Sequence, residues 1–142
     1  MTKLFRVISM IAVALLLTTA CEKTADNISL LTDGIWNFSN MTTDSESEAT
    51  QALIFLGKAL LTEGTIEFKD DKSYILSSPL LQEPQTGTWS LIGDQLIMDS
   101  DGDLASTSNI GTLSKTELIY TETLPEPDDE LSFHKVTTSW SK

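Results

Sequence analysis

Cysteine, histidine and arginine are nearly missing from this 142-residue chain, and each shortage excludes a chemistry. Cys21 is the only cysteine, so no disulfide can form within the chain. His134 is the only histidine, so one chain cannot build a multi-histidine metal site. A Ser-His-Asp triad would have to use His134 on an expected strand, and the sequence holds no nucleophile elbow. No glycine-rich phosphate loop is present either. Arg6 is the sole arginine, and 21 acids against nine Lys and Arg leave a net charge of −12. Such a balance opposes nucleic acid, whose phosphates need Lys and Arg, and opposes anionic lipid headgroups. Its plainer consequence is a well-dispersed surface. The sequence therefore predicts no enzyme, no metal site and no cofactor.

Long apolar runs are also absent, with one short exception. Val7 to Leu17 is apolar apart from Ser9, follows Lys3 and Arg6, and leads through Thr18, Thr19 and Ala20 to Cys21. A bilayer span needs about 20 apolar residues. A basic start, a short apolar core and a small-residue exit instead describe a secretory signal. The stretch Leu17-Thr18-Thr19-Ala20-Cys21 resembles the lipobox of bacterial lipoproteins. Ala20 is the small residue before the cysteine, whereas Thr18 stands where that family usually has Leu. The resemblance implies a thioether diacylglycerol on Cys21, usually joined by an N-acyl chain such as palmitate. Each buried methylene contributes roughly 0.8 kcal/mol, so two or more chains hold firmly. The expected partner is thus a membrane, reached through the lipid. The expected location is the cell envelope, at the outer membrane of a Gram-negative bacterium. Loss of Lys3 and Arg6 with the signal would move the charge from −12 to −14. The domain plan is a signal over 1–20, a polar linker over 21–30 and one domain over 31–142.

Beyond the linker, short period-two runs alternate with polar turns, the pattern of β-hairpins. Gly34 to Thr42 sets Trp36 and Phe38 on one face. Thr65 to Lys69 turns Ile66 and Phe68 inward, and Asp70-Asp71-Lys72 leads into Ser73 to Ser78 with Tyr74 and Leu76. Thr88 to Leu91 carries Trp89 and Leu91, Gly93-Asp94 turns the chain, and Gln95 to Asp99 returns with Leu96 and Met98. Ala105 to Leu113 is a more polar strand. Glu117 to Glu122 holds Leu118 and Tyr120. The acidic, proline-bearing stretch Leu124 to Glu130 is expected as a solvated loop, and Leu131 to Trp140 as the final strand.

One segment departs from this pattern. Over Ser45 to Thr62, Ala49, Leu53, Leu56 and Leu60 fall on one helical face with Ala52 and Ala59 beside them. Ser45 and Glu48 have capping-box spacing, and Gly64 is the expected stop. The expectation is an amphipathic helix laid on the sheet or across a barrel mouth. Successive antiparallel hairpins expose edges unless the sheet closes. About eight strands suffice for an all-β, antiparallel up-and-down barrel with one helix after the first strand. A sandwich would need long crossovers, for which only 79–87 and 124–130 have the length.

Several of these residues resemble a known family. Gly34-Ile35-Trp36 looks like the Gly-x-Trp entry of lipocalins. Its order with Thr65-Ile66-Glu67-Phe68, Gly87-Thr88-Trp89-Ser90-Leu91, Gly93-Asp94 and Leu113-Ser114 resembles bacterial lipoproteins with a lipocalin-like domain. The likeness covers roughly Leu31 to Trp140 and implies a small antiparallel barrel. Lipocalins that carry ligands pack a basic residue, usually Arg, on the entry Trp; here Lys135 is the expected substitute.

Two features invite more specific chemistry. Asp99-Ser100-Asp101-Gly102-Asp103 resembles the opening of a calcium loop, but Leu104 stands where Gly belongs and no closing Glu follows. It reads as a solvated loop. Trp36, Phe38, Phe68, Tyr74, Trp89, Leu91 and Tyr120 are the candidates for a ligand cavity or, equally, for the core any small barrel needs. Two functions follow: a membrane-anchored barrel binding a small apolar molecule, or a filled barrel that contacts a protein partner in the envelope.

Overall fold

Strand-forming segments recur along the chain, and each pairs with the next. A computed structural model describes residues 26–100 and 105–142. The export signal, Cys21 and the Asp101–Asp103 part of the acidic loop lie outside the described residues. The strands are β1 (Ile35–Thr43), β2 (Thr65–Phe68), β3 (Ser73–Ser77), β4 (Gln85–Ile92), β5 (Gln95–Ser100), β6 (Ser106–Leu113), β7 (Glu117–Glu126) and β8 (Asp129–Ser141). They form a closed antiparallel barrel in sequence order. Closure comes from β1 against β8, where Phe38 faces Trp140 and Thr43 faces Val136. Among the described residues the sheet thus closes on itself and leaves no free edge strand.

Period-two alternation decides the interior. In β4, Gly87, Trp89 and Leu91 are buried while Thr88, Ser90 and Ile92 are exposed. Leu31, Trp36, Ile66, Phe68, Tyr74, Trp89, Leu91, Leu96, Leu118, Tyr120 and Trp140 form one cluster. Gly87 is required by close approach: a Cβ there would lie 2.2 Å from the Asp99 carbonyl oxygen and 2.8 Å from the Tyr74 ring. Tyr74 stands opposite Gly87 in the β3–β4 register, so the missing side chain makes room for that ring.

Four expectations need correction. The predicted linker does not run to residue 30: residues 26–32 form a helix, α1, and Leu31 is fully buried in the core. Its carbonyl accepts a 2.9 Å hydrogen bond from Trp36 Nε1, which ties α1 across one end of the barrel. The stretch Leu124 to Glu130 is not a loop. β7 and β8 continue as a tall hairpin, with Leu124 opposite His134 and Pro125 opposite Phe133, and only 127–128 turn. Its height keeps this ribbon clear of other strands, and a register shift after Pro125 absorbs the lost N–H.

The other two corrections concern the helix α2 (Glu48–Leu61). Its N-cap is Ser47, not Ser45. Ser45, two residues ahead of that cap, instead donates from Oγ to Glu126 Oε1 at 2.5 Å and accepts from the Ser47 N–H at 3.1 Å, while Ser47 Oγ accepts from the Thr50 N–H. The residue with positive φ at the far end is Glu63, while Gly64 is needed because a Cβ would sit 2.6 Å from the Leu61 carbonyl oxygen. The expected apolar face also points outward: Leu53 and Leu56 are each 55% exposed and Phe55 is 72% exposed. Thr50 and Ile54 are the buried residues. The reason is polar. Thr50 Oγ1 donates to Glu126 Oε2, and Ser78 Oγ donates to the Leu60 carbonyl. These contacts set the rotation of α2 against its own apolar stripe.

Candidate functional site

β1 runs from α1 to the start of α2, so the two helices meet it at opposite ends. The α1 end is packed solid. Trp36, Phe68, Trp89 and Leu91 belong to the buried cluster there, and Phe38 is partly buried against it. Phe68 meets Trp89 edge-on at 5.7 Å between ring centres, and Phe38 meets Trp140 edge-on at 5.6 Å. Both strand-entry indoles are hydrogen-bonded, Trp36 to Leu31 and Trp89 to the Lys69 carbonyl at 3.1 Å. Each also carries a lysine ammonium over its ring: Lys142 on Trp36 at 4.2 Å and Lys72 on Trp89 at 4.0 Å. The base on the entry Trp is therefore Lys142, not Lys135. The Lys135 backbone N–H instead bonds the Asp44 carboxylate at 2.7 Å.

Beneath the C-terminal turn of α2 lies a cavity of about 170 Å³. Of the predicted cavity residues only Tyr74 and Tyr120 line it, together with Leu61, Ile66, Leu76, Met98 and Trp140. Gln85, Ser100 and Ser106 add polar atoms at its rim. Burial pushes the Tyr120 hydroxyl well above the usual tyrosine range, and Glu122 adds to this; the Trp140 N–H lying toward it and Thr138 act in the opposite direction. Tyr120 thus stays a neutral hydroxyl at any physiological pH. The Trp140 N–H approaches without completing a hydrogen bond.

At the other end of α2, four side chains meet. Glu126 accepts from Ser45 and Thr50 and lies 3.6 Å from His134 Nδ1. The two hydroxyls, more than the opposing desolvation, hold its carboxyl below the ordinary range, with His134 a smaller contributor. Both hydroxyl protons are directed at the carboxylate and neither at the imidazole. The cluster therefore fastens the helix to the hairpin and does not have the hydroxyl–imidazole–carboxylate order of a hydrolase. His134 and Glu126 were not paired by sequence reasoning, because their approach depends on how the hairpin folds back.

Beside this fastening, α2 and the tall end of β7–β8 enclose a groove of about 260 Å³. Met41, Leu53, Ile54, Leu124 and Val136 supply apolar walls, and Glu122 and His134 supply polar atoms. It shares no lining residue with the first cavity. Gly57 allows α2 to settle here, since a Cβ at that position would lie 3.1 Å from Met41 Sδ. Among the described residues no group of three or more His, Cys, Asp or Glu could hold a metal ion.

An eight-stranded antiparallel barrel with a Gly-x-Trp entry and a base on that Trp is consistent with a lipocalin-like fold. The model of the lipocalin-like domain matches residues 32–120. The chain belongs to the lipocalin-like domain family. The match covers β1 to mid-β7 and stops before the tall part of the hairpin, so Glu122, Glu126 and His134 lie beyond it. A search of curated proteins finds no match. A lipocalin-like barrel is a framework suited to holding a small molecule, and this one is solid at one end and hollow at the other.

Proposed function

We propose that this protein is a membrane-tethered carrier: a lipocalin-like barrel held to the cell envelope by lipid on Cys21, binding a small apolar molecule under α2. The observation that carries the reading is the cavity of about 170 Å³ inside the barrel, with Leu61 at the end of α2 on its lining and α2 itself held by polar contacts of Thr50 and Leu60. A cavity of about 150 Å³ lined by apolar side chains takes a molecule the size of benzene. The occupant is therefore compact, about one ring in size, with neutral hydrogen-bonding groups toward Tyr120 and Ser106. The test is mass spectrometry of small molecules released from the full-length protein purified out of native membranes. A compact apolar compound that co-purifies with the wild type, and is lost in Ser106→Trp, supports the carrier. Release of nothing from the wild type refutes it.

A second reading draws on the outer face of α2. Leu53, Phe55, Leu56 and Leu60 stand exposed together with Ala49, Ala52 and Ala59. An apolar patch of this kind often marks a contact surface. Under that reading the tether presents α2 to an envelope protein. Phe55→Glu would abolish capture of that partner while leaving ligand release unchanged.

A further inference from the structure

The groove between α2 and the β7–β8 hairpin has the chemistry of a second site. Its walls are Met41, Leu53, Ile54, Leu124, Pro125 and Val136, and its volume is about 260 Å³. That is room for roughly one ring with a short chain, by comparison with the 150 Å³ that holds benzene. Its polar side chains are Thr50, Glu122 and His134. Glu122 presents a carboxylate, of which Oε1 already accepts from Ser108 Oγ at 3.0 Å. His134 is only 6% exposed and lines the groove, with Nδ1 turned to Glu126 Oε2 at 3.6 Å.

Charge decides the sign of the head group. Glu122 lines the groove, and Glu126 lies next to His134. Asp128, in the hairpin turn, accepts from Ser47 Oγ at 3.3 Å and adds negative charge to this end of the hairpin. Among the described residues no lysine pairs with Glu122 or Glu126. A carboxylate ligand would meet like charge, whereas an ammonium would meet complementary charge at Glu122. We propose that this groove binds a small apolar amine, its hydrocarbon between α2 and the hairpin and its ammonium on Glu122. This goes beyond the carrier reading, since it concerns a different recess with different residues.

Methionine methyl NMR on the full-length protein separates the two sites, because Met41 lines the groove and Met98 lines the barrel cavity. The probes are phenethylamine, 2-phenylethanol and 3-phenylpropanoate, which share a ring and short chain but differ in the head. Phenethylamine should shift the Met41 methyl saturably and leave Met98 in place. Phenylethanol should bind at least tenfold more weakly, and phenylpropanoate should leave Met41 unmoved. Glu122→Gln should weaken the amine roughly tenfold, the usual effect of losing one charge-assisted bond. Leu53→Ser, at a half-exposed wall position that folding does not need, should weaken all binding at Met41. Equal binding of amine and carboxylate at Met41, no effect of Glu122→Gln, or no shift at Met41 with any probe would overturn the proposal. A shift at Met98 alone would also overturn it and would leave the carrier reading standing.

Discussion

The Lys142 ammonium lies 4.2 Å from the centre of the Trp36 ring, so the end of β8 covers the entry to β1. The same ammonium bonds the Leu30 carbonyl at 3.2 Å and lies 3.8 Å from Asp33. One side chain therefore joins α1, β1 and β8 at the solid end of the barrel. Cation–π contacts contribute about 0.5–1 kcal/mol when exposed and about 2 when desolvated. We expect Lys142→Ala to lose about 1 kcal/mol in urea unfolding, with Lys142→Arg close to wild type. An unchanged midpoint in Lys142→Ala would mean the contact carries no stability.

Trp36→Ala and Trp89→Ala should each cost about 3–5 kcal/mol, the usual range for a buried large aromatic. That is a large share of the 5–15 kcal/mol that holds a domain of this size. In a Trp140→Phe background, the two remaining indoles should emit blue-shifted light and resist acrylamide. Red-shifted, easily quenched emission would contradict their burial in one cluster.

Two glycines should respond in opposite ways. A Cβ at Gly87 meets backbone, the Asp99 carbonyl oxygen at 2.2 Å, which cannot move without parting β4 from β5. A Cβ at Gly57 meets the flexible end of Met41 at 3.1 Å. Gly87→Ala should leave little folded protein. Gly57→Ala gains up to about 1 kcal/mol of helix propensity against a small displacement of Met41, so its melting temperature should match or exceed wild type. Similar losses in both variants would show that the approach at Gly57 is as rigid as that at Gly87.

The fastening of α2 should loosen in acid. Glu126 has its carboxyl held below the ordinary value of 4.5 by the Ser45 and Thr50 hydroxyls. A carboxylate depressed in the folded state stabilises it fully above the unfolded pKa. That contribution declines as pH falls below about 4.5 and is gone once pH passes the folded value. Amide exchange at Thr50 and Gln51 should therefore accelerate, beyond its intrinsic pH trend, as pH falls below 4.5. Glu126→Gln should exchange faster at neutral pH and show no such acid step. An identical acid step in Glu126→Gln would assign it to another group.

Cys21→Ser should leave the protein without lipid and release most of it from membranes into the soluble fraction. Retention of the variant in membranes after a high-salt wash would refute the tether.

The sequence by itself determined the barrel. Alternation in Thr65–Phe68, Gly87–Leu91 and Gln95–Met98, with short polar turns between them, is local information, because side-chain period and turn chemistry act over a few residues. The burial of Trp36 and Trp89 follows from the same pattern. Tertiary structure decided everything that depends on which distant groups meet. Lys142 rather than Lys135 reaches Trp36 because closure of β8 on β1 brings the end of β8 to the Gly34 turn. The acidic stretch 124–130 is mostly strand rather than loop because Leu124, Pro125 and Glu126 find partners across the hairpin, which overrides a composition typical of loops. The outward turn of Leu53 and Leu56 was invisible to a hydrophobic pattern. Thr50 is drawn to Glu126, 76 residues away, and a polar bond between remote residues leaves no trace in local periodicity.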